Sequence, residues 1–576
     1  MGRGVSFEEA RTYSVAGTSE WSGKEKEVES EPQHVGFAQQ EPQQRNPIYQ
    51  EQKKKLGVPD NHEIFWVEWN GPDDPQNPFN WPKKRKWIAT LTTCFVSILT
   101  GLPAGAYGAA YEQMMAEWHI NDDKFPFLSF ALVSWNMGAA FFPLVFVPLT
   151  ESTGRLPGYW AFYIMFTLWL FGSAYAPNFA TILITRFFGG GASSVAITLV
   201  AGTITDIWKG DIERSLPISI FGITSVVGIA LGPFVGGIIQ NYLWWRWIYW
   251  IQIIICTGFI PLFAYILRET RGDVILQKKA KKLRKEGNLS NDDNNPKKYA
   301  YAKSELDKPS IVQALKISFM RPTKMLISEF VVISFTIWVS FAWGLLFLFQ
   351  SSVGIVFSEL YNFDVFQITL VQLAVSVGAI IGGAINPLQD RLYFKSARRN
   401  TERPGKCIPE ARLYFAVPGS VLFAVSMFWF GWSAYSGHAV HWIVPTLSLV
   451  TFGIGVYHIY LAVTNDLADA YEKYAASALS AAGFGRNVTG AFLPLATPAL
   501  YNNLGFNWAS TMLGILALVL TAAPIALLLK GPVIRANSPF MLDATFDEEE
   551  SEERRQSMMN VQGDDVVNRR KSTIPR

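Results

Sequence analysis

Charge is scarce in this chain. Asp, Glu, Lys and Arg make up 17% of its 576 residues, against about 25% in an ordinary soluble domain. There are 6 histidines and 3 cysteines. Cys94, Cys256 and Cys407 cannot build a disulfide framework. Two fall in apolar runs and one in a basic loop, and free thiols are expected. No His-rich metal cluster, phosphate-binding P-loop or serine elbow stands in or between the apolar runs. Neither an enzyme, a bound metal nor a cofactor is therefore expected. Net charge is +3, which gives no sign of a nucleic-acid partner. The first 80 residues are polar and contain no apolar h-region, so no cleavable signal peptide is expected.

What the chain has in quantity is apolar sequence. Hydrophobic residues are 49% of the total although both tails are polar, so they concentrate between the tails. A helix needs about twenty apolar residues to cross a bilayer. Twelve runs meet that length, at 87–108, 126–149, 158–176, 179–204, 215–240, 247–267, 325–354, 366–388, 413–434, 441–463, 475–500 and 508–529. The expected fold is an all-α integral membrane protein with two six-helix bundles, at 87–267 and 325–530. A disordered tail (1–86), a central loop (268–324) and a C-terminal tail (531–576) complete the division.

Basic residues fix the expected orientation. Lys83, Lys84, Arg85 and Lys86 precede the first run. Lys278, Lys279, Lys281, Lys282, Arg284 and Lys285 follow the sixth, and Arg391, Lys395, Arg398, Arg399, Arg403 and Lys406 follow the eighth. The loop after the first run instead holds Glu112, Glu117, Asp122 and Asp123 against Lys124. Both termini and the central loop are accordingly expected in the cytosol. The bilayer is the expected partner, at the cell membrane or the vacuolar membrane. A monomer is expected to suffice.

Several polar positions stand out. Glu151, Gly154 and Arg155 lie in a short loop between the second and third runs, where a glycine turn and an ion pair can latch one helix to another. Arg186 lies about 10 Å into the fourth run at 1.5 Å per residue. A buried Arg of this kind faces a bundle interior or a watery cavity, unless it snorkels to the interface. Asp206 ends that run and can either cap a loop helix or pair with Arg155. Gly228, Gly232 and Gly236 are spaced by four, with Pro233 and Gly237 beside them. That pattern permits close helix packing and a bend.

Those residues resemble the Major Facilitator Superfamily. Its loop at Pro148–Arg155 carries a glycine, an acid and a Gly-Arg pair. Val147 stands here where the leading glycine is usual, and Leu156 replaces the second basic residue. The run Gly228–Gly237 resembles the antiporter signature of the drug:proton branch. Asn77–Pro82, Trp245–Trp247, Glu269–Gly272, Asp469–Tyr471 and Tyr474–Ala478 extend the likeness to a fungal twelve-span drug:proton antiporter group. The resemblance implies alternating access, protons and a small-molecule substrate as partners, and a proton-coupling role for Arg186. The function expected is proton-coupled export of small amphipathic compounds such as drugs, toxins or secondary metabolites. An exporter of an organic acid such as a dicarboxylate is the alternative within transport. A nutrient-sensing receptor on a transporter body is the alternative outside it.

Other polar residues fall inside the runs. His458 can change charge near neutral pH and relay a proton, or it can simply hydrogen-bond. Arg486, Asn136, Gln350, Gln372 and Asn386 either line a substrate cavity or bond between helices. No Asp or Glu stands near the middle of any run. Two deep arginines without a deep carboxylate allow a neutral or anionic ligand.

The topology is testable. A single cysteine replacing Lys281 should react with an impermeant maleimide only after the cells are permeabilised. Labelling in intact cells at the rate of an outer-loop control refutes the orientation.

Overall fold

The computed structural model describes residues 47–59, 62–120, 127–286, 298–306, 310–400, 405–434 and 440–545. Asp122, Asp123, Lys124, Arg403 and most of both tails lie outside the described residues. The chain divides into two units, Met1–Pro59 and Asp60–Arg576. The first contributes one described helix, α1 (Pro47–Leu56), with three lysines in its last turn. Everything that follows belongs to the second.

Where backbone cannot reach water it must bond to itself, and helices do this within one segment. The first half contains α2 (Lys83–Ala106), α3 (Tyr111–Trp118), α4 (Phe130–Thr153), α5 (Arg155–Ala174), α6 (Phe179–Ile207), α7 (Gly210–Ala230), α8 (Gly232–Tyr242) and α9 (Arg246–Ile266). The connection carries α10 (Gly272–Glu286) and α11 (Ile311–Ser328). The second half contains α12 (Phe330–Tyr361), α13 (Val365–Ser396), α14 (Ala416–Ser433), α15 (Ile443–Tyr471), α16 (Ala475–Phe492), α17 (Thr497–Leu520) and α18 (Ala522–Ala536), and α19 (Pro539–Thr545) follows it.

Among the described residues, nine stretches are long and apolar enough to cross a membrane by length and composition. A helix also stands at each of the twelve expected places. The two tallies differ because α15 to α18 count as one stretch, Ile443–Ala536. In addition α5 is not among the nine, since its Tyr and Trp residues lower its mean hydropathy.

Both halves pack by close backbone approach. A Cβ on Gly138 of α4 would stand 1.9 Å from the Phe187 carbonyl of α6, and one on Gly190 would stand 2.2 Å from the Trp135 carbonyl. The second half repeats the device between α13 and α15. There, Gly378 faces the Val450 carbonyl at 2.1 Å and Gly453 faces that of Val375 at 2.2 Å. Such crossings replace the hydrophobic drive that lipid cannot supply with contact and dispersion.

Two expectations need correction. The run from Met325 does not open a span. Glu329 takes an extended conformation, separating α11 from α12, and its buried carboxylate accepts the Tyr471 hydroxyl at 3.0 Å. The last two runs divide within the expected gap of 501–507. Helix α16 stops at Phe492, a 3-10 turn follows at Leu493–Ala496, and helical geometry is interrupted at Gly505, whose φ of +74° suits glycine.

The second correction concerns residues 62–86, expected within a disordered tail, and the central loop. Strand β1 (Glu63–Trp66) pairs in parallel with β2 (Lys298–Tyr301). Helix α10 covers the pair, burying Val67, Ala280 and Ala300 in a small cluster separate from the main core. The Arg284 guanidinium donates to the Ala300 carbonyl at 3.0 Å and pairs with Glu305 at 3.0 Å. Next along the chain, Asp74 accepts the backbone N–H groups of Asn70 (2.8 Å) and Gln76 (2.9 Å). These bonds hold its carboxyl below its ordinary value. Its contribution is therefore present above the ordinary carboxylate range and is lost as pH falls through the lowered value. The Asn80 amide donates to the carbonyls of Pro72 and Asp74, which explains the Asn77–Pro82 motif as a fixed entry to α2. A folded tail segment was not legible because each strand is only four residues long.

Replacing Ala300, fully buried, by Trp overfills the small cluster. Limited proteolysis should then cut faster near Glu63–Trp66, while thermal unfolding of the helical body is unchanged. Protection equal to that of the unaltered protein would show that the strand pair does not hold this segment.

Candidate functional site

Between the halves lies a cavity of about 1020 Å³. Ala139, Ser194 and Thr198 line it from the first half, and Val339, Tyr460 and Arg486 from the second. Its lining extends to Asp211, Arg214, Lys406, Glu472 and Lys473, all at the helix ends that carry the basic loops. Among the described residues, none from the opposite helix ends, such as Trp118, Tyr242 or Tyr361, lines it. The cavity thus opens at the basic end and is closed at the other.

The closed end is built from the glycine-rich run. Leu231 separates α7 from α8, and Pro233 stands at the start of α8 where its missing N–H costs nothing. Gly228, Gly232 and Gly236 face α2 and the turn after it. A Cβ on Gly232 would lie 2.6 Å from the Ala106 nitrogen, and one on Gly236 2.7 Å from its carbonyl oxygen. Gly237 instead faces the other half, where a Cβ would stand 2.2 Å from Thr369 Oγ1 of α13.

At the basic end of the first half, Gly154 turns the chain with φ +112°, and Arg155 starts α5 almost wholly buried. Its Nε donates to Asp206 at 3.2 Å. Arg271 also approaches Asp206, at 3.6 Å. The Glu269 carboxylate accepts the backbone N–H groups of Arg155 (2.9 Å) and Leu156 (3.4 Å), capping α5. Of the two roles open to Asp206, the structure selects pairing with Arg155. Glu151, the acid expected to hold the glycine turn, lines the cavity and forms no ion pair among the described residues. The acid of the latch comes from α6 because Arg155 points back across Gly202, where a Cβ would lie 2.6 Å from the guanidinium carbon.

The sequence pattern of the Major Facilitator Superfamily matches residues 93–492. This chain belongs to that superfamily. It is 33% identical over 478 residues to the MFS transporter cpaT of Aspergillus oryzae, covering 83% of this chain and 93% of that one. It is 32% identical over 486 residues to the citrinin biosynthesis cluster MFS transporter mrr1 of Monascus ruber, covering 83% and 93%. The xylose transporter XylE of E. coli, in a partially occluded inward-open form, superposes with a TM-score of 0.53 at 15% identity. That match covers 77% of this chain and 98% of XylE and shows the shared fold. The chain is therefore a membrane-spanning transporter for small molecules and not an enzyme.

Within the superfamily fold, Arg186 lies in the first-half interior, 1% exposed. Its Nε donates to the Ala131 carbonyl at 2.9 Å and another nitrogen to that of Pro103 at 3.2 Å. The rings of Tyr107 and Trp135 face it at 4.2 and 5.0 Å. It does not snorkel, and it does not line the cavity.

Of the polar residues expected in the cavity, only Arg486 lines it. Asn136 is buried at the contact of the halves, donating to the carbonyls of Leu132 (3.1 Å) and Gly490 (3.5 Å). Gln372 donates to the Gln350 carbonyl at 2.7 Å, between α12 and α13. Asn386 donates to Asp390 at 3.3 Å. It shares with His458, Asp390 and Arg412 a separate pocket of about 10 Å³, room for about one water. These side chains sit at helix contacts, where the amide N–H groups of Asn136, Gln372 and Asn386 each find an acceptor.

A cluster in the second half escaped the sequence reading. Arg412 pairs with Asp469 at 2.9 Å and Asp390 at 3.5 Å, and the Tyr393 hydroxyl donates to Asp469 at 2.8 Å. Arg214 of α7 reaches the same carboxylate at 3.6 Å, across the halves. The one sequence signal was Asp469-Ala470-Tyr471, seen only as a likeness. The partners of Asp469 are 57 and 76 residues away in sequence.

Gly237→Val should separate the closed end, because a Cβ there meets the branched Thr369 side chain rather than a flexible tip. Spin labels at Tyr242 and Glu359 should then show a population at longer distance. An unchanged distance distribution means the contact does not hold that end shut.

Proposed function

We propose that this chain is a proton-coupled antiporter exporting small amphipathic compounds of secondary metabolism by alternating access. The observation that carries this reading is the cavity between the halves, open at the basic end and closed by Gly237 against Thr369. With the basic end in the cytosol, this state accepts a substrate from inside. Pocket volumes of 300 to about 1000 Å³ suit drug-sized ligands, so the cavity takes a compound larger than a simple ion. Support for the substrate class comes from relatives named for citrinin and ascochitine biosynthesis clusters.

Transport then requires each half to move as a unit. Export opens the contact of α8 with α13 and draws the basic ends together. Arg214 and Asp469, already 3.6 Å apart across the halves, are placed to tighten in that step. The Arg155–Asp206 pair with the Glu269 cap keeps the basic ends of α5 and α6 in register during the motion.

Arg186 is the proposed coupling residue. A guanidinium does not release its proton. Its part is to hold α2 and α4 through two carbonyls, in an arrangement that proton binding elsewhere in the first half alters. His458, in the small pocket beside Asp390, is the proposed second-half proton site.

Arg186→Ala should reach the membrane yet lose proton-driven transport. The measurement is alkalinisation inside proteoliposomes, followed with trapped pyranine, as a compound exported by the unaltered protein is added outside and exchanged for internal protons. Coupled proton movement at the unaltered rate removes Arg186 from the mechanism.

A further inference from the structure

The exporter reading leaves the chemistry of the cargo open, and the cavity wall bears on it. Among the described residues, seven bases line the cavity against four acids. The four acids are Glu151, Asp211, Asp469 and Glu472, and all stand at helix ends on the basic face. At depth the wall carries a single formal charge, Arg486, about 16 Å into α16 at 1.5 Å per residue.

Arg486 is held but not neutralised. Its guanidinium carbon lies 4.7 Å from the Trp343 ring centre and 5.2 Å from that of Tyr460. Those rings are 5.4 Å apart and inclined by 34°. Among the described residues no carboxylate pairs with Arg486, and its Nε is buried without a hydrogen-bond partner. Arg186 and Arg412 show the contrast: two carbonyls accept from the first, although its Nη2 is also without a partner, and two carboxylates pair with the second. A cation away from bulk water calls for an anion or a hydrogen-bond acceptor. The neighbouring Asn487 amide is committed to the Ala139 carbonyl at 3.0 Å.

We propose that Arg486, steadied by Trp343 and Tyr460, binds the carboxylate of an amphipathic monoacid whose apolar body lies along the Ala139, Ala140 and Val339 wall. This rests on the exporter reading. A carboxylate matches the planar fork of a guanidinium with two parallel hydrogen bonds. One unpaired base at depth suits one carboxylate, so a dicarboxylate would keep its second charge among apolar walls. A permanent cation would meet a like charge with no deep acid to offset it.

The test uses cells producing the unaltered protein, Arg486→Gln, Arg486→Lys or no transporter, with surface levels matched. Secreted small molecules are compared by untargeted mass spectrometry. Compounds enriched by the unaltered protein should be predominantly monocarboxylic acids. Arg486→Gln should lower their export about thirtyfold, the scale of losing hydrogen bonds to a charged group. Any neutral compounds enriched should fall only two- to threefold. Arg486→Lys should recover part of the loss, because an ammonium lacks the bidentate geometry. Enrichment of neutral or cationic compounds alone overturns the anion site and leaves the exporter standing. Equal losses for acids and neutrals with Arg486→Gln, or none for either, also overturn it. No enriched compound from the unaltered protein at the cell surface overturns the exporter reading and the anion site together.

Discussion

Backbone in contact with backbone is the constraint on which this molecule depends. Inside a bilayer, apolar side chains gain nothing by leaving lipid for protein, so helices adhere by approach and complementarity. The crossings of α4 on α6 and of α13 on α15 bring carbonyl oxygens to where a Cβ would otherwise sit, at 1.9 to 2.2 Å. No side chain fits there, and each half is tied together near its centre. The halves are free to part elsewhere, and the cavity occupies the space between them.

Charge is arranged around the same constraint. Most ionised groups gather at the helix ends, where networks such as Arg155–Asp206–Arg271 and Asp390–Arg412–Asp469 pair largely buried side chains with one another. The two deep arginines are treated differently. Arg186 is enclosed by carbonyls and aromatic faces and serves the packing of the first half. Arg486 has aromatic faces beside it and the cavity before it. Position relative to the gap between the halves separates them, since both are Arg on apolar helices.

The closed end joins the two themes. Gly228, Gly232 and Gly236 settle α7 and α8 against α2, and Gly237 meets Thr369 of the other half. One short run thus serves packing within a half and closure between halves. The conformation rests on a contact that a single added methyl group would disturb.

The sequence by itself determined the class of solvent, the helices and the asymmetry of their ends. Apolar length is a local property that needs no partner to be read, and Lys and Arg gather by loop. It also singled out Arg155, Arg186, Asp206 and Arg486, because a charge in or beside an apolar run needs a reason wherever the run folds. Only the tertiary structure decided which acid holds Arg155, and which of five polar candidates reaches the cavity. It alone paired Glu63–Trp66 with Lys298–Tyr301, and Asp469 with Arg412 and Tyr393. Those outcomes turn on which face of a helix meets which neighbour, across tens or hundreds of residues. On a helix apolar all round, such as α6 or α13, no amphipathic stripe marks that face in advance.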